Sequence, residues 1–464
     1  MENTSPQSKA SRQAQRKNMM LYDPVSRIIP KMAIPTIIAF LINSIYSLAD
    51  TYFVSSLGTN ATAAVSVNGS LDQLIMMAGS LLAVGAASYI SRLLGAGQDK
   101  KASQVLSTSF FIAFFLGVIL MVFGNIFMTP MVRLLGATPT CEQYSIDYAT
   151  YVLFAAPFMA GNFVLNQSLR SEGSATLSMI GMGFGGILNC VLDPIFIFGL
   201  NMGVSGAALA TIISQCVSAI WVLRFLTGKQ TILKLQVKNL KLKASVILPC
   251  LALGISGFIM LSTESLLSIS FNSSLSKFGG DLAVGSMTII SSVSQLITLP
   301  LSGICQGAQP IVSYNFGAGN KERVLSVFKY TLLICASYTT LGWILTMTVP
   351  QVFAGIFSSD AALIENAAWC MRIYMAGIFA FGFQISCQQT FVALGQAKTS
   401  LLLACLRKLV LLIPLIFILP IFFENKVFAV FLAEPVSDIV AAAVTTIIFV
   451  TKIKGILEQG PKRA

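Results

Sequence analysis

Residues 85–102, GAASYISRLLGAGQDKKA, recur without a gap as residues 307–324, GAQPIVSYNFGAGNKERV. The copies share Gly85/Gly307, Ser91/Ser313, Gly95/Gly317, Ala96/Ala318 and Gly97/Gly319 at an offset of 222 residues. The same offset pairs Gly173 with Gly395 and brings Pro194 near Pro414, so the duplication extends over most of each half. Each copy runs from an apolar stretch into a charged loop. Each G-A-G supplies the permissive backbone that a helix end needs before a polar turn.

What surrounds the repeat is greasy. The 464 residues are 55% hydrophobic and 10% charged, against about 25% charged in an ordinary soluble domain. A membrane span needs about 20 mostly apolar residues. With Gly, Pro and charged clusters as breaks, helices are expected at about 28–54, 61–94, 103–130, 143–170, 174–199 and 204–226, then at 245–276, 282–315, 323–349, 362–393, 398–422 and 427–451. The expected fold is an all-α polytopic membrane protein of twelve transmembrane helices. Six spans per half is an even number, so the halves share one orientation and relate by a pseudo-twofold axis along the membrane normal. The expected domains are an N-terminal tail 1–27, an N-lobe 28–226, a linker 227–243, a C-lobe 244–451 and a C-terminal tail 452–464.

The net charge of +12 reports topology rather than nucleic acid, because the basic residues sit in short loops. With the N-terminus inside, the inner loops hold the basic residues of Lys9–Lys31, Arg92–Lys101, Arg170, Arg224–Lys243, Lys321–Lys329, Lys398 and Lys452–Arg463. The outer loops hold Arg133, Lys277 and Lys426, while Arg372, Arg407 and Lys408 fall within apolar segments. Both termini are therefore expected in the cytoplasm. The first eighteen residues lack the apolar core of a cleavable signal and read as a disordered tail. The linker GKQTILKLQVKNLKLK (228–243) reads as lying along the inner leaflet.

The absence of histidine removes His-based acid–base chemistry and His-ligated metal sites. The nine cysteines are scattered through apolar runs with no C-x-x-C pair and read as buried thiols. A membrane enzyme would need a reactive constellation or a phosphate-cradling loop, and the sequence offers neither.

An ionisable side chain in the membrane costs about 2.5–3.5 kcal/mol on insertion scales, so each one asks for a role. Asp50 follows Pro35, a candidate kink, on the first helix. Asn189 and Asp193 lie one helical turn apart in LNCVLDP, with Pro194 next, and Ala207 and Thr211 repeat that spacing on the following helix. Carboxylates, amide and hydroxyl form an oxygen set suited to a hard cation or, through desolvation, to a proton. The alternative for Asn189 and Thr211 is helix–helix hydrogen bonding. Asp72 stays open. Glu264 reads as a substrate-cavity anion or a packing residue. Glu434 and Asp438 read as partners of Arg407 or Lys408. Gln384, Gln388, Gln389, Met76, Met77, Phe379, Phe381 and Phe383 offer an adaptable wall.

From SIYSLADTYFVSSLG through SRLLGAG, LRSEGSA, LNCVLDPIFIFG and GVSGAALAT to SYNFGAGNKERV and ALGQAKTS, the chain resembles the multidrug and toxic compound extrusion (MATE) family. The resemblance implies an antiporter with two lobes in a V, exporting amphipathic and often cationic compounds in exchange for Na+ or H+. It implies a coupling-ion site at Asp50, Asn189, Asp193, Ala207 and Thr211, with Na+ possible at Asp50, Asn189, Asp193 and Thr211. Pro35, Tyr46 and Asn166 match cavity or bending positions of the N-lobe, and Glu264 is similar to a C-lobe glutamate of another branch whose tenth-helix acidic partner is missing here. Asp72 and Gln388 complete the substrate-cavity candidates. The expectation is a monomeric, multi-pass exporter of the cell membrane, surrounded by lipid, with no cofactor beyond the ion and no nucleic-acid partner. The competing reading is a flippase for lipid-linked sugars, which would favour extra helices and a cationic cavity.

Overall fold

Apolar segments that cross a bilayer must satisfy every backbone group internally, which leaves the helix as the route for a chain of this composition. The computed structural model describes residues 6–228, 231–240, 242 and 244–460, and these contain helices and no strand. Among the described residues eleven helices are long and apolar enough to span. One of them, Ala244–Gly317, is two helices joined at Gly280, whose backbone is non-helical (φ 63°, ψ −158°), so the spans number twelve.

We label the elements in chain order. The first lobe holds the spans α2 (Val25–Ser55), α3 (Thr59–Gly95), α4 (Asp99–Ile126), α6 (Glu142–Ser171), α7 (Ala175–Gly199) and α8 (Val204–Thr227). The second holds α9 (244–279), α10 (281–317), α11 (Lys321–Thr348), α13 (Ala361–Ala393), α14 (Ala397–Phe422) and α15 (Lys426–Gln459). Three shorter helices are α1 (Pro6–Tyr22), α5 (Met128–Leu134) and α12 (Pro350–Phe357).

The repeat is visible as matched hydrogen bonds. Ser91 Oγ donates to Ser171 O at 2.9 Å, and its counterpart Ser313 Oγ donates to Ala393 O, the residue 222 positions after Ser171, also at 2.9 Å. Gly97 and Gly319 both adopt positive φ (73° and 78°), as do Gly173 and Gly395 (87° and 75°), conformations open to glycine at little cost. The first glycine of each G-A-G does something else. A Cβ on Gly95 would lie 1.9 Å from Tyr314 O, and one on Gly317 would lie 2.0 Å from Arg92 O. Gly85 meets Cys250 on α9, while Gly307 meets Ala33 on α2. These reciprocal crossings bring the lobes together in the halves of α2, α3, α9 and α10 nearest the chain termini.

Two expectations are corrected. Residues 6–22 are helical, and Met19 and Met20 are buried. The reason is a set of polar anchors: Arg16 to Glu172 (3.0 Å), Lys17 to Asp99 (2.7 Å) and the amide of Asn315 to Met20 O (3.0 Å). α1 thus bridges both lobes. The linker packs on protein as well: Ile232, Leu233 and Leu235 are buried, Lys234 N donates to Ser103 Oγ, and Gln236 N donates to Ser107 Oγ. Val237 and Leu242 remain exposed. Lys229, Lys241 and Lys243, counted above toward the topology, lie outside the described residues, as do residues 1–5 and 461–464. At its far end the last helix runs to Gln459, beyond the expected 451.

Candidate functional site

Three helices of the first lobe each carry a polar stripe at helical spacing. On α2 it is Asn43, Tyr46, Ser47 and Asp50; on α6, Asn162, Asn166 and Arg170; on α8, Thr211, Ser214, Gln215 and Ser218. Residues three, four and seven apart share a face, so each helix offers one wet side within an otherwise apolar surface. The three stripes converge on a cavity of about 260 Å³, closed by Asp72 and Met76 of α3 and by Gly185, Gly186 and Asn189 of α7. Gly185 and Gly186 let α7 approach: a Cβ on Gly186 would lie 2.9 Å from Ile42, and one on Gly185 3.1 Å from Ser214 O.

The acidic part is built around Asp50, which is 8% exposed. Tyr148 OH donates to Asp50 Oδ2 at 3.4 Å. Asn189 Nδ2 donates to Asp193 Oδ1 and to Thr211 Oγ1, both at 3.2 Å. Asp193 is the last residue but one of the α-helical part of α7, which ends at Pro194, and the turn that follows, Ile195–Gly199, is a π-helix, a wider coil frequent at functional sites. In and beside this cavity four carboxyl and amide oxygens have no partner among the described residues: Asp50 Oδ1, Asp72 Oδ1, Asn189 Oδ1 and Asp193 Oδ2. Unpaired buried oxygens are costly, and here they belong to one neighbourhood. No group of three acidic or cysteine side chains among the described residues is set to hold a metal ion. A cation at this place would therefore rest on amide and hydroxyl oxygens as well as carboxylates, and the unpartnered atoms fit that donor chemistry.

Beside this set runs a neutral polar network. Gln215 Nε2 donates to Tyr46 OH (3.4 Å), and Asn162 Nδ2 donates to Gln215 Oε1 (3.4 Å). Asn166 Nδ2 donates to Asn162 Oδ1 (2.9 Å), and Ser178 Oγ donates to Asn166 Oδ1 (2.8 Å). Asp50, Asp72, Tyr46, Asn166, Asn189 and Thr211 line the cavity, with Asp193 bonded just behind Asn189. Ala207 does not line it; it is buried in an apolar cluster with Val54 and Tyr148. Pro35 lies on α2 between Ala33 and Ile37, which meet Gly307 and Gly303 of the other lobe.

Two candidates fall elsewhere. Glu264 pairs with Lys408 in the second lobe, its side chain 62% exposed. Gln388 is buried in that lobe and donates to Met260 Sδ at 3.4 Å. Tyr148, Asn162, Gln215 and Arg170 were not singled out from the sequence. The i, i+4, i+8 spacing of Asn162, Asn166 and Arg170 was the available signal.

Fold and cavity together define a polytopic, two-lobed helical membrane carrier. A family model described as MatE matches residues 35–195 and 257–418, one segment in each lobe. The chain is 28% identical over 421 residues to the multidrug export protein MepA of Staphylococcus aureus (strain N315), covering 90% of this chain and 93% of the relative. A solved MATE structure in the straight conformation superposes with a TM-score of 0.89 at 25% identity, covering 95% of this chain and 99% of the other. A MOP superfamily transporter from Pyrococcus furiosus, whose binding pocket is described as of reverse polarity, superposes at 0.88 and 25% identity over 98% and 99%. The chain belongs to the MatE family. It is a transporter rather than an enzyme.

Proposed function

We propose that this transporter is a secondary-active multidrug exporter of the cell membrane, monomeric and with both termini cytoplasmic. It exchanges amphipathic, often cationic compounds for Na+ or H+ by alternating access. The observation that carries this reading is the set of unpartnered oxygens of Asp50, Asp72, Asn189 and Asp193 at and beside one first-lobe cavity. Similarity to a multidrug export protein over nine-tenths of the chain supports the substrate class.

Acidic groups without a counterion in low dielectric gain most from a small cation or proton. Binding it changes the charge of the cavity and the packing around α2. That helix reaches the lobe contact through Ala33 and Ile37, so the state of the cavity bears on whether the lobes stay together. An ion moves the balance between states only through its differential affinity for them, and couplings of this kind are typically worth about 1–3 kcal/mol. Asp50, Asp72 and Asp193 bias the first lobe toward cationic cargo. A lipid-linked diphosphate carrier would need the opposite bias.

The test is uptake of a fluorescent cation into everted vesicles, with Na+ and pH gradients imposed separately. Wild type accumulates dye under one of the two gradients, and Asp50→Asn lowers the rate at least about tenfold while retaining native helical circular dichroism. A folded variant that transports at the wild-type rate overturns the role of Asp50, and indifference to both gradients overturns ion coupling.

A further inference from the structure

At the other end of the same cavity sits a charge that the exchange described above leaves unused. Arg170, on the last turn of α6, is 2% exposed and lines the cavity. Its Nε donates to Gln167 Oε1 at 3.2 Å, and its Cζ lies 5.7 Å from the centroid of the Phe40 ring. Its Nη1 has no partner among the described residues. None of the ion pairs of the described residues includes it, so it does not serve as counterion to Asp50 or Asp72. A guanidinium stays protonated in proteins and cannot shed its charge to escape burial. An unmatched one therefore calls for an acceptor from outside the chain.

The cavity is bipolar. Phe40, beside Arg170, and Asp50 are separated by about 15 Å along the axis of α2 at 1.5 Å per residue. Between them lie neutral side chains: Asn43, Tyr46, Asn166 and Gln215. We infer that Arg170 is a second subsite of this cavity, one that receives the carboxylate of an amphoteric substrate whose cationic end faces the Asp50 and Asp72 carboxyls. The inference rests on the exporter reading and narrows it to amphipaths carrying both charges. Arginine suits this task because its planar donors match a carboxylate in direction as well as charge. The Phe40 ring fixes the guanidinium plane, and Gln167 orients it from behind.

The experiment compares two dyes that differ in one group. Rhodamine 110 carries a free carboxylate, and rhodamine 123 is its methyl ester, with the same cationic ring system. Affinity of the purified full-length protein for each is read by fluorescence polarisation, with tetraphenylphosphonium, a cation lacking any anionic group, as a third ligand. The wild type is expected to bind the acid at least about tenfold tighter than the ester, although the ester is the greasier molecule. In Arg170→Met the acid-to-ester ratio falls to about one, and Arg170→Lys restores part of it. A wild-type ratio near one overturns the inference even if both variants fail to fold. A ratio preserved in Arg170→Met overturns it too, since the preference then has another source. Tetraphenylphosphonium separates the two levels: its binding without any acid preference between the dyes rejects the Arg170 subsite alone, and the failure of all three ligands to bind rejects the exporter reading beneath it.

Discussion

Buried charge is treated in opposite ways in the first-lobe cavity and in the second lobe, and the difference is local to a few side chains. In the second lobe Arg407 donates from Nε to Asp438 Oδ1 (2.7 Å) and from Nη2 to Glu434 Oε1 (2.9 Å), with Phe381 stacked 4.3 Å from the guanidinium. Lys408, the next residue, holds Glu264 and Met260 O. These charges are paired. The carboxyls in and beside the first-lobe cavity, Asp50, Asp72 and Asp193, enter none of the ion pairs of the described residues, and the two sets should answer differently to substitution. Arg407→Met strands two buried carboxylates; removing one member of a buried ion pair costs about 3–5 kcal/mol, so the thermal unfolding midpoint of the purified protein should fall sharply. Asp50→Asn removes an uncompensated charge and should leave that midpoint level or higher. Equal destabilisation by both would mean that the first-lobe carboxyls are as firmly partnered as those around Arg407. Much of this contrast was legible in the sequence, because a carboxylate in an apolar run stands out without any coordinates. The sequence offered Glu434 and Asp438 either Arg407 or Lys408, and only packing decided that Arg407 takes both. Arg170 was hidden for a different reason. It sits at a helix end beside a loop, where a basic residue looks like a topology marker, and the depth that turns it inward comes from its neighbours.

Elements built from the same helical rule differ in how well their composition betrays them. The twelve spans could be read because each is long, apolar and bounded by glycine, proline or charge. α1 could not, because nothing in MENTSPQSKASRQAQRKN is apolar enough to ask for burial. Its helix is held by partners far along the chain. The central one is Glu172, wholly buried, which accepts from Arg16 Nη1 (3.0 Å), Ser174 Oγ (2.9 Å) and the backbone N–H groups of Ile232 (3.0 Å) and Leu233 (3.1 Å). One carboxylate thus fastens α1, the α6–α7 turn and the interlobe linker. Burial raises its pKa above the ordinary carboxylate value, against the opposing pull of Arg16 and of the donors that favour the charged form. Glu172→Ala leaves two buried N–H groups without an acceptor, at about 1–3 kcal/mol each, and removes the ion pair with Arg16. The expected outcome is a lower unfolding midpoint together with faster tryptic cleavage after Arg16 and Lys17. Unchanged proteolysis would show that α1 is held without Glu172. The linker misled in a similar way. Its alternating Lys and aliphatic residues suit a membrane surface equally well, but Ser103 and Ser107 supply acceptors that turn Ile232, Leu233 and Leu235 toward protein.

Across the whole molecule, the duplication decides where the lobes can touch. Glycines at matched positions remove side chains from the crossings of α3 with α9 and of α10 with α2, and these crossings lie toward the termini. The repeat could be recognised from the sequence; that Gly95 and Gly317 are crossing points as well as helix ends could not, since a helix end already explains a glycine. Alternating access requires these contacts to separate and re-form, and packed interfaces of this sort switch between discrete arrangements rather than stretching. Cys250 offers a direct reading of the switch. It is buried at 0% exposure with its backbone against Gly85. A Cβ at residue 85 would sit 1.9 Å from Cys250 O and 2.6 Å from its carbonyl carbon, too close for backbone to absorb. Gly85→Val should therefore hold the lobes apart on the termini side and abolish transport. In a background with the other cysteines replaced by alanine, Cys250 should then react with a membrane-permeable maleimide many times faster than in the otherwise identical protein with Gly85. The milder Gly85→Ala should give an intermediate rate if the fold survives both changes. A Gly85→Val protein that transports normally and keeps Cys250 unreactive would mean that the crossing can be rebuilt around a larger residue, and this contact between the lobes would then not be the one that opens.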